Sequence, residues 1–116
     1  MEVEYFRTEK GSSPVEKFIK RQDIEVQAEI QAEIDRFKSL GDRFLWYFPK
    51  RVAKIKNDIM ELKVKSQRKH YRLLFIFTGQ KIVFLHACIK KTKKLNPNDI
   101  KLAERRKKGI SKKEVR

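Results

Sequence analysis

Lys63 and Lys65 stand two residues apart, as do His70 and Arg72, on either side of a basic connection, Gln67-Arg68-Lys69. A further basic run, Lys90-Lys91-Thr92-Lys93-Lys94, follows at the end of an apolar stretch. A spacing of two puts side chains on one face of a strand, so each pair acts from one surface. Cations gathered on one surface repel each other unless a polyanion joins them, and phosphates are the natural partner. One reaction suits such a set without further equipment, the cleavage of RNA. There the 2′-hydroxyl is the nucleophile, and the protein supplies none. It must align that hydroxyl, stabilise charge on the phosphorane-like transition state and move two protons. Arg72, Lys63, Lys90 and His70 are the candidate catalytic residues. Lys65, Arg68, Lys69, Lys91, Lys93 and Lys94 are the candidates for RNA binding. A lysine crowded by like charges becomes a better base, and histidine titrates near neutrality, so both residue types are candidates for proton transfer.

Other chemistries have little to work with. Phosphate-loop and dinucleotide glycine patterns are absent, and His, Cys and clustered carboxylates are too few for a metal centre. Neither a metal nor a cofactor is expected. His86, between Leu85 and Ala87, reads as a hydrogen-bonded structural histidine. Cys88, the only cysteine, reads as a small buried hydrophobe, and it cannot form an intrachain disulfide. Any one strand lysine is ordinarily a solvated surface residue. It is the cluster, with only Glu61 nearby, that asks for a ligand.

The distribution of charge supports the same partner. The chain has 116 residues and a formal net charge of +15. Residues 1–49 hold eight basic and ten acidic side chains, a net of −2, and residues 50–116 hold 22 and five, a net of +17. Such asymmetry points to nucleic acid, an anionic membrane or an acidic protein. Hydrophobic residues at 40%, with eight Phe, suffice for a core, and the length suits one domain. The longest apolar run, Leu73–Phe77, is far too short to span a bilayer, and the start has no signal-peptide character. The expectation is a cytoplasmic protein without membrane contact.

The elements that must position these residues are legible in outline. Residues 2–7 read as a short strand. Ser13-Pro14-Val15-Glu16 has the form of a capping box with proline at the first helical position. Val15, Phe18 and Ile19, then Val26, Ile30, Ile34, Phe37 and Leu40, give apolar helical faces. Arg21-Gln22-Asp23 marks the join, and Gly41 sits where a helix cap belongs. Residues 42–56 look irregular. Their cluster Phe44, Trp46, Tyr47 and Phe48 reads as a loop packed on the core, with base stacking as the sharper alternative.

From Ile59 the period becomes two, through 59–66, then 71–77, a turn at Thr78-Gly79-Gln80, and 81–89. Asn96-Pro97-Asn98-Asp99 opens a last helix. The order is β-α-α-β-β-β-α, an α+β domain over 1–109 with a small antiparallel or mixed sheet against two N-terminal helices. Residues 110–116 form a basic, frayed tail in this reading. If Leu62 and Tyr71 face the helices, then Lys63, Lys65, His70 and Arg72 share the opposite, open face, a concave basic surface sized for a few nucleotides. On that geometry, Arg72→Ala abolishes cutting and leaves the fold intact.

Three blocks carry a resemblance: Glu61-Leu62-Lys63, Tyr71-Arg72, and Leu85-His86-Ala87-Cys88-Ile89-Lys90-Lys91-Thr92. With the helix Asp99-Ile100-Lys101-Leu102-Ala103-Glu104-Arg105 and the Ser13-Pro14-Val15 opening, the chain resembles the RelE/ParE toxin superfamily over roughly 2–108. It is most similar to the phage-derived HigB-like branch. The resemblance implies a RelE-like fold and a type II toxin that cuts mRNA on the ribosome without a metal. It also implies a cognate antitoxin, of helix-turn-helix type in the HigB branch, and the charge implies that its contact segment is acidic.

By the same resemblance Arg72 matches a strand arginine that binds phosphate and the transition state. Lys90 and Lys91 match a double lysine of substrate-binding or structural role. Lys63 stands where the family has arginine, and so lacks bidentate phosphate geometry. Cys88 replaces an aromatic, and the C-terminal tyrosine of some RelE toxins has no counterpart, which leaves the general base open. Two other readings stand beside it, a ParE-type gyrase poison and a non-catalytic nucleic-acid-binding module.

Overall fold

The computed structural model describes residues 1–114, without the side chains of 111–114. A five-stranded sheet in the order β1-β5-β4-β3-β2 is covered by helices on both faces. β1 (Glu2–Tyr5) runs parallel to β5 (Lys81–Lys90), while β2 (Val52–Lys56), β3 (Ile59–Ser66), β4 (Lys69–Thr78) and β5 pair antiparallel in succession. The α+β class and the three-strand meander are as the sequence indicates.

α1 (Pro14–Lys20) and α2 (Ile24–Leu40) lie on one face. Val15, Ile19, Val26, Ile30, Ile34 and Phe37 are buried there against Leu62, Val64, Tyr71, Leu73, Phe75 and Phe84. Phe37 is the hub, with ring centroids 4.8 Å from Phe44, 5.1 Å from Phe75 and 5.9 Å from Phe77. The helix ends as expected: Gly41, at φ 57, donates its amide to the Phe37 carbonyl. The start of α1 differs. Pro14 takes the first helical position, but Ser13 makes no side-chain cap, and Glu16 pairs instead with Arg7 at 3.5 Å.

Three further features depart from the sequence reading. Residues 42–56 are ordered into a short helix, α3 (Arg43–Tyr47), a 3-10 turn (Pro49–Arg51) and β2. Phe44 drives this by inserting fully into the core, which leaves too little chain for a free loop before Val52 is also buried. The last helix, α4 (Pro97–Glu114), does not stop at Gly109. Ile110, where the sequence suggests a tail begins, packs against the second cluster; the last two residues of that tail lie outside the described residues. Finally, the face opposite α1 and α2 is not open throughout. α4 covers half of it, over Ile59, Leu74, Ile76, Val83 and Leu85, with Ala103 fully buried between. No helix among the described residues is long and apolar enough to cross a membrane.

Candidate nucleic-acid interface

The strand register brings the catalytic candidates together. Lys65, His70 and Lys90 lie abreast on β3, β4 and β5; Lys63, Arg72 and Cys88 form the next row; Glu61, Leu74 and His86 form a third. Side chains abreast on neighbouring strands sit about 4.5–5.5 Å apart at Cβ, so each row is one contiguous surface. The parity argument from the sequence holds for β3 and β4. On β5 the row depends on a bulge. Phe75 pairs with Phe84 and Leu74 with His86, so Leu85 is an extra residue. Phe84 and Ala87 both belong to the core under α1 and α2, whereas a regular alternation would place them on opposite faces. The bulge turns Cys88 and Lys90 to the face of Arg72 and His70.

β3 and β4 join through a two-residue turn, Gln67-Arg68, with φ values of 50 and 65. Both residues occupy the left-handed region, which fits the twist of a hairpin and is unusual without glycine. Gln67 is tied to α2 by a 3.2 Å hydrogen bond to Glu25. Arg68 is thereby presented at the tip, exposed. Lys69, in register with Ser66, has the parity of Tyr71 and leaves on the helix side, apart from the basic rows. Lys91, Lys93 and Lys94 are exposed beyond the end of β5, where the Thr92 hydroxyl donates to the Lys94 carbonyl at 2.8 Å.

Arg72 is a correction to the open-face expectation. It is buried, with its Nε 3.3 Å from the Glu61 Oε2, and both side chains are more than nine-tenths shielded. The contact is an ion pair without hydrogen-bond alignment. Nη1 donates to the Tyr71 carbonyl at 3.1 Å. The physical reason is position: Arg72 is the middle residue of its row on the central strand, flanked on both sides. A buried guanidinium is tolerable only beside a carboxylate, so Glu61, which strand parity already puts on the face of Lys63 and Lys65, is the partner that lets Arg72 be buried.

A cleft of about 510 Å³ opens beside these rows. β2 pairs only with the first half of β3, so Lys63–Ser66 has a free edge, and α2 crosses above it. Lys63, Lys65, His70 and Arg72 line one side, and Glu29, Glu33, Arg36 and Arg51 line the other. Lys90 lies one strand beyond, in the row of His70. Strand parity alone points to Glu61 as the sole nearby acid; the structure adds Glu29 and Glu33. Glu33 is buried and holds Arg36 and Arg51 by ion pairs, the latter at 3.2 Å, and the Arg51 guanidinium sits 4.2 Å above the Phe48 ring. Arg36 and Arg51 went unnoticed in the sequence because they stand on other elements; the Glu33–Arg36 spacing of three was the only available hint.

His86 is structural, as read. Arg106 donates to the Leu85 carbonyl at 2.8 Å and lies 3.4 Å from His86 Nδ1, which assigns the ring proton to Nε2. Nε2 donates to Asp99 at 2.6 Å, clamping the start of α4 to β5. Cys88 is buried, and burial, then Asp99, push its thiol up to about 12. His86, Cys88 and Asp99 bring ligand-type atoms within 4.8 Å of one another, a grouping the sequence had not suggested. Both ring nitrogens of His86 are already engaged, so the trio acts as the anchor of α4.

The profile of the phage-derived Gp49-like proteins (DUF891) matches residues 17–108, from α1 through most of α4. The chain belongs to the Gp49-like family. That family falls within the RelE/HigB-like toxin superfamily, in agreement with the resemblance of the β3, β4 and β5 blocks. The Gp49-like match covers every candidate residue named above. No curated protein matches the chain.

Proposed function

We propose that this Gp49-like protein is the toxin of a type II toxin–antitoxin pair and acts as a HigB-like, ribosome-dependent mRNA endonuclease. The observation that carries the reading is the assembly of Lys63, Lys65, His70, Arg72 and Lys90 in two adjacent rows, four of them lining a cleft.

The reaction needs only these groups. The 2′-oxygen attacks the adjacent phosphorus, the bond from phosphorus to the 5′-oxygen breaks, and a 2′,3′-cyclic phosphate and a 5′-hydroxyl result. One proton leaves the 2′-hydroxyl and another reaches the departing 5′-oxygen. Lys63 and Lys65 hold the phosphate from the cleft wall, and Arg72 meets the charge that develops on the non-bridging oxygens. Glu61 aims Arg72, and the fixed pair makes that charge stabilisation preorganised. His70, exposed between Lys65 and Lys90 in its row, carries a proton, with Lys90 beside it as the second candidate. An antitoxin with an acidic segment silences the protein by occupying the same cations, and in the HigB branch it is a helix-turn-helix protein encoded next door.

Adding the purified protein to a translating extract and mapping message ends by primer extension tests this. Cuts that vanish in Lys63→Ala and His70→Ala variants of native stability are the expected result. Intact messages at stoichiometric toxin overturn the reading. DNA breaks with stable messages would assign the protein to the gyrase-poison class instead.

A further inference from the structure

α3 presents two aromatic rings to solvent that the cleft chemistry does not use. Trp46 is 87% exposed and Tyr47 65% exposed, whereas the flanking Phe44 is fully buried. The short helix is pinned from below: Phe44 stacks on Phe37 at 4.8 Å, and the Phe48 ring packs tilted against Phe44 at 5.2 Å. The outer rings are therefore held on a rigid base and lose little freedom on meeting a ligand.

The surroundings specify the ligand. Residues 43–56 contain Arg43, Lys50, Arg51, Lys54 and Lys56 and no acidic residue. Arg43, Lys50 and Lys54 are exposed, and Arg51 lines the cleft. Arg51 stands four positions after Tyr47, which bounds their Cα–Cα separation at roughly 14 Å. Exposed rings among cations, a few positions from the cleft-lining Arg51, match the way proteins hold single strands: bases stack on rings while cations follow the backbone. We propose that Trp46 and Tyr47 form a stacking platform for unpaired bases of a single-stranded RNA whose backbone continues toward Arg51 and the cleft. The proposal extends the RNA reading of the site but does not require that the protein cleave.

Trp46 is the only tryptophan, so its fluorescence reports this surface alone. Titrating the full-length protein at low salt with short oligoadenylate and oligouridylate should give saturable quenching. Trp46→Ala and Tyr47→Ala should each weaken binding of end-labelled oligonucleotide by about 5- to 150-fold, the equivalent of ~1–3 kcal/mol per stacked base. Trp46→Phe should restore most of the loss, since a ring remains. Lys50→Ala should lower the salt slope by about one. Far-UV circular dichroism checks that the exposed-site variants keep the fold.

Oligonucleotide binding without quenching, and unchanged in Trp46→Ala, would overturn the platform. So would a fluorescence change that follows protein concentration alone, or one produced by an acidic protein partner and not by RNA; either outcome makes the rings a protein contact. Quenching together with intact messages in the translating extract would sustain the platform and remove the endonuclease reading, so the two fail separately.

Discussion

The face of the sheet opposite α1 and α2 has two halves built from the same strands, and they do opposite things. On β4, His70, Arg72, Leu74 and Ile76 follow one another at a spacing of two and point the same way. Leu74 and Ile76 lie under α4 with Val83, Leu85 and Ala103, in a dry cluster. His70 and Arg72 lie past the start of α4, among Lys63, Lys65 and Lys90. Between the halves stands the clamp of His86 on Asp99, with Arg106 beside it. One parity thus serves as core in one half and as site in the other, and the placement of a helix separates them. The basic rows are continuous along the strands with the part of the sheet that α4 covers, so the core fixes their register.

The largest effect should come from breaking the Glu61–Arg72 pair at the boundary. Arg72→Ala leaves a buried carboxylate alone and should cost about 3–5 kcal/mol in urea denaturation, as should Glu61→Ala by leaving a buried cation. The double variant Glu61→Leu with Arg72→Met should recover much of that stability while remaining inactive on RNA. Recovery of stability without activity would separate the pair's two roles, and no recovery would mean that the pair contributes more than mutual neutralisation.

Next, Leu74→Ala or Ile76→Ala, in the apolar half, should cost about 2–5 kcal/mol and expose α4 to hydrogen exchange before the rest of the sheet. Uniform exchange would show that α4 is not a separate cover. Substitutions in the basic half should behave differently. Lys65→Ala and Lys90→Ala should leave stability within about 0.5 kcal/mol, because solvated charges contribute little, and should each lower the salt slope of RNA binding by about one.

The smallest effect at neutral pH, where the thiol is protonated whether folded or not, concerns Cys88, in the row of Arg72. Burial raises its thiol from 9.0 to about 12. A raised folded value means stability that is complete below about pH 9 and lost as pH climbs toward 12, because only the unfolded chain releases the proton there. Cys88→Ala should therefore flatten the decline of the urea midpoint between pH 9 and 12. The native thiol should also resist alkylation at pH 8 and react once the chain is unfolded.

Much of this was legible. The periods of α2, β3 and β4, the cap at Gly41, and the convergence of Lys63, Lys65, His70 and Arg72 all follow from local spacing. Residues 42–56 were not legible, because Phe44 takes its role from Phe37, seven positions away on another helix. The bulge at Leu85 was not legible either, since an unbroken apolar run shows no change of phase. Arg36, Arg51 and Glu33 come to the cleft from α2 and the 3-10 turn, and no single stretch of chain displays that meeting.

By itself the sequence determined the strands and helices outside residues 42–56, which way β3 and β4 point their side chains, and that the excess charge lies after residue 49. These are local properties, set by residue type and by periods of 2 and 3.6. Only the tertiary structure decided that Arg72 is buried on Glu61, that Lys90 faces His70, and that half of one sheet face is closed by α4. Burial, register across strands and the cover of a face depend on what distant segments place beside a residue, and spacing along the chain does not encode that.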